Sequence, residues 1–156
     1  MKKTFQKKAG FTLVELMLAV FILAFTLSGL IRVFLQCSTM NEIALSKTAA
    51  MIDLQGKMEE IRNYDYGSIA TDYVSGGAVG DTFDLSQLTG KGVIYIDAGN
   101  PKLLEIKIVA SWQNQGGRVI GGDLNLDGVL DAGETVDADG DLASIATLIT
   151  KIAQRQ

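Results

Sequence analysis

The chain has 156 residues, 47% of them apolar and 21% charged, with a formal net charge of −4, one Cys and no His. It is long enough for one domain with an appendage and too apolar for a disordered chain. Without His, and with a single Cys, it has no Ser-His-Asp triad, no Cys/His nucleophile pair, no Cys/His zinc site and no internal disulfide.

The charges are unevenly placed. Lys2, Lys3, Lys7 and Lys8 put four of the 14 basic residues in the first ten positions, and seven of the 18 acids fall between Asp123 and Asp141, where there is no Lys or Arg. Without the first ten residues the balance is 10 basic to 18 acidic groups. Such a protein has no general attraction to DNA or to anionic lipid, and no nucleic-acid partner is expected.

Residues 11–31, from Phe11 to Ile31, form an apolar run with a single charge at Glu15. As a helix it is about 31 Å long, enough to cross a bilayer's hydrocarbon core. The lysines precede it, so residues 1–10 are expected in the cytoplasm and the rest outside. The run lacks an A-x-A cleavage site behind it and is expected to stay attached, as a single-pass anchor. Glu15 sits oddly in a plain anchor, because an acid in hydrocarbon usually has a partner and a role. The plainer account is that it reaches water near the cytoplasmic interface.

Lys7-Lys8-Ala9-Gly10 followed by Phe11-Thr12-Leu13-Val14-Glu15 resembles the processing site of type IV prepilins and pseudopilins. The resemblance implies a leader at 1–10, a cut between Gly10 and Phe11 by prepilin peptidase, and N-methylation of the new terminal Phe11. It also implies that Glu15 pairs with the N-terminal amine of a neighbouring subunit, an ion pair favoured in hydrocarbon only when both charges meet. The partners implied are prepilin peptidase, the inner membrane, and other pilin subunits met through the N-terminal helix. The location implied is a single pass through the inner membrane with the head in the periplasm, then a cell-surface pilus or a periplasmic pseudopilus.

After Arg32 the pattern turns amphipathic over residues 32–65. Met40, Ala44, Met51, Leu54, Met58 and Ile61 fall at helical steps, interrupted by Lys47, with Glu42, Lys57, Glu59, Glu60 and Arg62 around them. No Pro occurs before residue 101, so one long helix is expected to end near Asn63, Tyr64 and Asp65 and to lay its outer stripe on a globular head. Cys37 reads as a small apolar residue, with a dimerising thiol as the alternative.

Residues 66–156 should be that head. Residues 67–91 are rich in Gly, Ser, Thr and Asp and read as a long connecting loop. Val93-Ile94-Tyr95-Ile96 is a short strand signal before a turn at Gly99-Asn100-Pro101. Leu104, Ile106, Ile108, Ala110 and Trp112 then alternate with Glu105, Lys107, Val109 and Ser111, which predicts a strand with one face on the helix stripe and Trp112 in the core. Residues 118–120 and 145–149 are two further strand candidates. The expected fold class is α+β: a long N-terminal helix packed on a small antiparallel sheet, similar to type IV pilins.

Between those last two strands, residues 123–134 fit D-x-[DN]-x-[DN]-G-x5-E at every specified position. Asp123, Asn125 and Asp127 hold the odd positions, Gly128 the sharp turn, Val129 a backbone carbonyl, Asp131 a side chain or bridged water, and Glu134 two oxygens. The stretch resembles the EF-hand calcium loop, although strands rather than helices flank it, so Ca²⁺ is the expected cofactor and Mg²⁺ a poorer fit. The alternative is a solvated acidic turn. A half-loop follows within 123–141: aligned on Gly140, it supplies Asp137, Asp139 and Asp141 but has Thr135 and Ala146 at the first and twelfth positions. It either lends ligands to the first ion or holds a second.

Paired carboxylates can also hydrolyse glycosides, but only in a cleft with one raised pKa. A short loop crowded with acids shows no sign of either, and no enzyme is expected. The function expected is that of a minor pilin whose head is stabilised by calcium. The alternatives are a type II secretion pseudopilin and an anchored calcium-binding or adhesive module that never polymerises.

Overall fold

In a computed structural model, residues 10–100 and 102–154 are described. The leader expected at 1–10 therefore lies outside the described residues apart from Gly10. Helix α1 runs Leu13–Arg62 and passes from one compact unit, ending at Asn41, into a second that begins at Glu42.

In the first unit, α1 starts on a threonine cap. The Thr12 hydroxyl accepts the Glu15 N–H at 3.3 Å, so the acid sits in the first helical turn, where the helix dipole favours a negative charge. The Thr26 hydroxyl donates to the carbonyls of Ile22 and Leu23, and that of Ser28 to Phe25. These two hydroxyls are thus returned to the helix's own backbone, as a hydrocarbon environment demands. This helix is long and apolar enough to span a membrane. Cys37 is exposed and free.

In the second unit, α1 buries Ala50, Leu54, Met58 and Ile61. Two residues of the expected stripe do not take part: Met40 and Ala44 are exposed. Helix α2, Tyr66–Asp72, follows. Strands β1 (Thr82–Asp84), β2 (Thr89–Asn100), β3 (Leu103–Gln113), β4 (Val119–Ile120) and β5 (Ala146–Ala153) make one antiparallel sheet. The fold is the expected α+β, a long helix packed on a small antiparallel sheet.

Residues 67–91 are not one connecting loop, since they hold most of α2, all of β1 and the start of β2. Glycine hides the last of these. A Cβ on Gly90 would come 2.2 Å from the Ser111 carbonyl, and one on Gly92 would come 2.1 Å from the Phe83 ring, so the hairpin closes only where side chains are missing. β5 extends past the expected 145–149, and β4 keeps two residues of the expected three.

β3 is the centre of the sheet. Its Leu104, Ile106, Ile108, Ala110 and Trp112 join α1's Leu54, Met58 and Ile61 in the main core. The expectation that only one face of β3 is buried fails. Lys107, Val109 and Ser111, on the other face, are buried as well, because residues 121–145 fold back over them. Leu142 packs on Val93 and Val109 with Tyr95 beside them. Helix, sheet and acidic excursion form three layers.

Candidate functional site

The acidic excursion leaves and returns at one place on β3. β4 pairs with Trp112 and Gln113, and β5 with Leu103 through Ala110, so Ser111 lies in the gap. The Ser111 hydroxyl accepts the Asp123 N–H at 3.3 Å, and the Ser144 hydroxyl donates to the Ala110 carbonyl. Between these anchors the chain is stitched at Thr135, whose N–H meets the Gly122 carbonyl and whose carbonyl accepts the Ala143 N–H. Two acidic turns result, one on each side of Thr135.

In the first turn Asp123 is fully buried. One carboxylate oxygen accepts the Leu126 N–H at 2.6 Å and the other the Gly128 N–H at 2.8 Å. Leu126 and Gly128 both take positive φ, 60° and 81°, which winds the backbone around that carboxylate. A side chain at Gly128 would also meet Thr82 of β1 at 2.6 Å, so glycine is needed there twice over. Asn125 donates to Asp127 and Asp131 at 2.9 and 3.0 Å, gathering three predicted ligand side chains. The Val129 N–H donates to Asp127. Glu134 closes the turn, accepting the Leu124 and Asp131 N–H groups at 2.8 and 2.9 Å.

The donor set suits a hard cation: every specified side chain offers oxygen, and a carboxylate oxygen that accepts one N–H keeps a further lone pair. Among the described residues, no Lys or Arg forms an ion pair with Asp123, Asp127, Asp131 or Glu134. Four acids in one turn therefore have backbone N–H groups and one amide as their partners.

The second turn gathers its acids more tightly. Asp137, Asp139 and Asp141 bring carboxylate oxygens within 4.8 Å of one another. A cation is already there: the Lys107 ammonium lies 2.5 Å from Asp137, 2.7 Å from Asp141 and 3.4 Å from Asp139. Burial disfavours that charge, but the hydrogen bonds to Asp137 and Asp141 outweigh it and raise the Lys107 pKa above the ordinary lysine value. The same bond from Lys107 works against burial at Asp137 and holds its carboxyl below the ordinary 3.8. Sequence reasoning missed Lys107, since a charged residue on the face of a strand opposite its apolar alternation looks solvated.

These shifts set a pH window. A depressed carboxylate gives its full stabilisation above its unfolded pKa and loses it as the pH falls through the lower folded value; a raised lysine gives its stabilisation below its unfolded pKa and loses it as the pH rises through the higher folded one. The pin between the second turn and β3 is therefore expected to be complete from about pH 4 to 10. An NMR titration of the Asp137 carboxyl carbon should show a midpoint below that of an unfolded aspartate, returning to the ordinary range in Lys107→Gln.

Gly10, Phe11 and Glu15 are at the other end of the chain. All three are exposed. A family model described as the prokaryotic N-terminal methylation motif matches residues 5–31. The match takes in the basic residues at 7 and 8, the Gly10–Phe11 junction, Glu15 and the whole apolar run. It supports a type IV pilin-like N-terminus of the prepilin-processed kind, pilin or pseudopilin, which belongs to a structural class of proteins rather than an enzymatic one. It also supports membrane anchoring through α1. No curated protein and no solved structure matches the chain.

Proposed function

We propose that the chain is a minor subunit of a type IV pilus-like filament. The precursor is cut after Gly10 by prepilin peptidase and methylated on Phe11. It waits in the inner membrane with its head in the periplasm and then joins other pilin subunits through α1. Glu15 pairs with the terminal amine of a neighbour, whose charge offsets the penalty of an acid in hydrocarbon. The observation that carries this reading is the methylation motif over residues 5–31, which takes in the apolar start of a helix that continues into an α+β head.

Intact mass of the protein extracted from its native host tests it. The expected result is loss of residues 1–10 with one added methyl group, and recovery of the same species in a sheared filament fraction. An unprocessed Met1 terminus overturns the reading in favour of a plain anchored module.

Calcium is the head's proposed cofactor. Asp123, Asn125, Asp127, Asp131 and Glu134, with the Val129 carbonyl, would hold one ion in the first turn, and the ion would supply the positive charge that those acids otherwise lack. Because it binds the folded head in preference to the unfolded chain, calcium at 100 times its Kd adds about 2.7 kcal/mol of stability. A calorimetric titration should find saturable binding, weakened about tenfold or more in Glu134→Gln, which removes a charged two-oxygen ligand. Equal affinity in Glu134→Gln would place the ion elsewhere.

A further inference from the structure

The two acidic turns are variations on one design. In each, a carboxylate oxygen two residues ahead accepts a backbone N–H, from Val129 to Asp127 and from Asp139 to Asp137. In each, a glycine takes a positive φ at the bend, Gly128 at 81° and Gly140 at 87°. The turns differ in where positive charge comes from. Over the second turn, the three carboxylates converge on one ammonium, that of Lys107, a residue of β3 that is 8% exposed, and it stands 5.9 Å from the centre of the Tyr95 ring. Its three N–H donors match three acceptors.

We propose that the 137–141 turn is a divalent-ion turn for which the chain supplies its own cation, the Lys107 ammonium, so that the head takes up one divalent ion in its first turn and none in its second. A metal ion entering the second turn must break the Lys107 ion pairs with Asp137, Asp139 and Asp141; Glu105, which lines the same cleft, is already paired with Lys151, and a buried charge that loses its partners is strongly unfavourable. The turn also lacks the outer ligands that would reward the exchange, since Thr135 and Ala146 stand where the first turn has Asp123 and Glu134. The fixed lysine holds the excursion on the sheet at any calcium concentration, and the first turn is left as the responsive half. The count of one ion rests on the calcium reading above; the role of Lys107 does not.

The test is calcium stoichiometry of the full-length protein in detergent micelles, measured by isothermal titration calorimetry, in wild type, Asp139→Asn, Lys107→Gln and the double variant. Asp139 is exposed, so its substitution leaves folding intact. Wild type and Asp139→Asn are expected to bind the same number of ions. Lys107→Gln is expected to gain one ion per chain, and adding Asp139→Asn should remove it. Loss of an ion in Asp139→Asn alone would overturn the proposal, as would a folded Lys107→Gln with no gain. Emission from Trp112, the chain's single Trp, reports whether Lys107→Gln has folded; if it has not, the comparison of wild type with Asp139→Asn decides alone. Failure of the calcium reading is separately visible, as a wild type that binds no ion while Lys107→Gln still gains one.

Discussion

Asp123→Ala should lower the stability of the head by about 3 kcal/mol, since two backbone N–H groups lose a charged acceptor in a buried place. Asp123 is fully buried and holds the Leu126 and Gly128 N–H groups with separate oxygens, so alanine leaves both donors turned toward an empty volume. The same change should abolish the rise in thermal midpoint that the proposed calcium site predicts, because the first position of the turn is gone. Asp123→Asn separates the two effects. It restores one acceptor and so recovers part of the stability, but without the charge it should not recover the response to calcium. Chemical denaturation followed by Trp112 emission, with calcium and with chelator, measures both quantities. A head that loses stability in Asp123→Ala yet keeps an undiminished calcium shift would refute the assignment of Asp123 as a ligand.

Trp112→Ala should be at least as damaging, at about 3–5 kcal/mol, the range for emptying a buried large aromatic site. Trp112 has no exposed surface and lies in the main cluster with Leu54, Met58 and Ile106. With a urea dependence of about 1–3 kcal/mol per molar, the denaturation midpoint should fall by about 2 M, followed by far-ultraviolet circular dichroism since the fluorophore is removed. Trp112→Phe is the sharper comparison. The Trp112 Nε1 atom is buried without a hydrogen-bond partner, so phenylalanine removes an unsatisfied donor together with part of the volume. Its loss should be well under half that of alanine. Equal losses would mean that the indole is held by something other than packing volume.

The parts of this protein that were legible in its sequence are those with a period or a motif. The 3.6-residue spacing of Leu54, Met58 and Ile61 and the alternation from Leu104 to Trp112 each announced a buried face, and the two faces do meet. The methylation motif was plain from the Gly10–Phe11 junction and Glu15. What stayed hidden has no period. The second face of β3 is covered by an irregular excursion rich in Asp and Gly, so nothing in the sequence distinguished Lys107 and Ser111 from solvent-facing residues. Gly90 and Gly92 weakened the strand signal at the very positions where close backbone approach requires them. Within the acidic region the motif marked the first turn as the stronger ion site and the second as half a loop, but it could not reveal that a lysine 30 residues earlier lies against the second.

The excursion's two anchors, Ser111 and the Ala110 carbonyl, are neighbours in the chain, which makes the segment between β4 and β5 a cassette with both ends on adjacent rungs. Closing such a loop depends only weakly on its length, about 0.6 kcal/mol for each doubling. Residues added to the cassette outside the two acidic turns should therefore leave the strands in place, provided Leu142 still covers Val93 and Val109. The head is in this sense a display frame, able to carry epitopes of different size on an unchanged sheet.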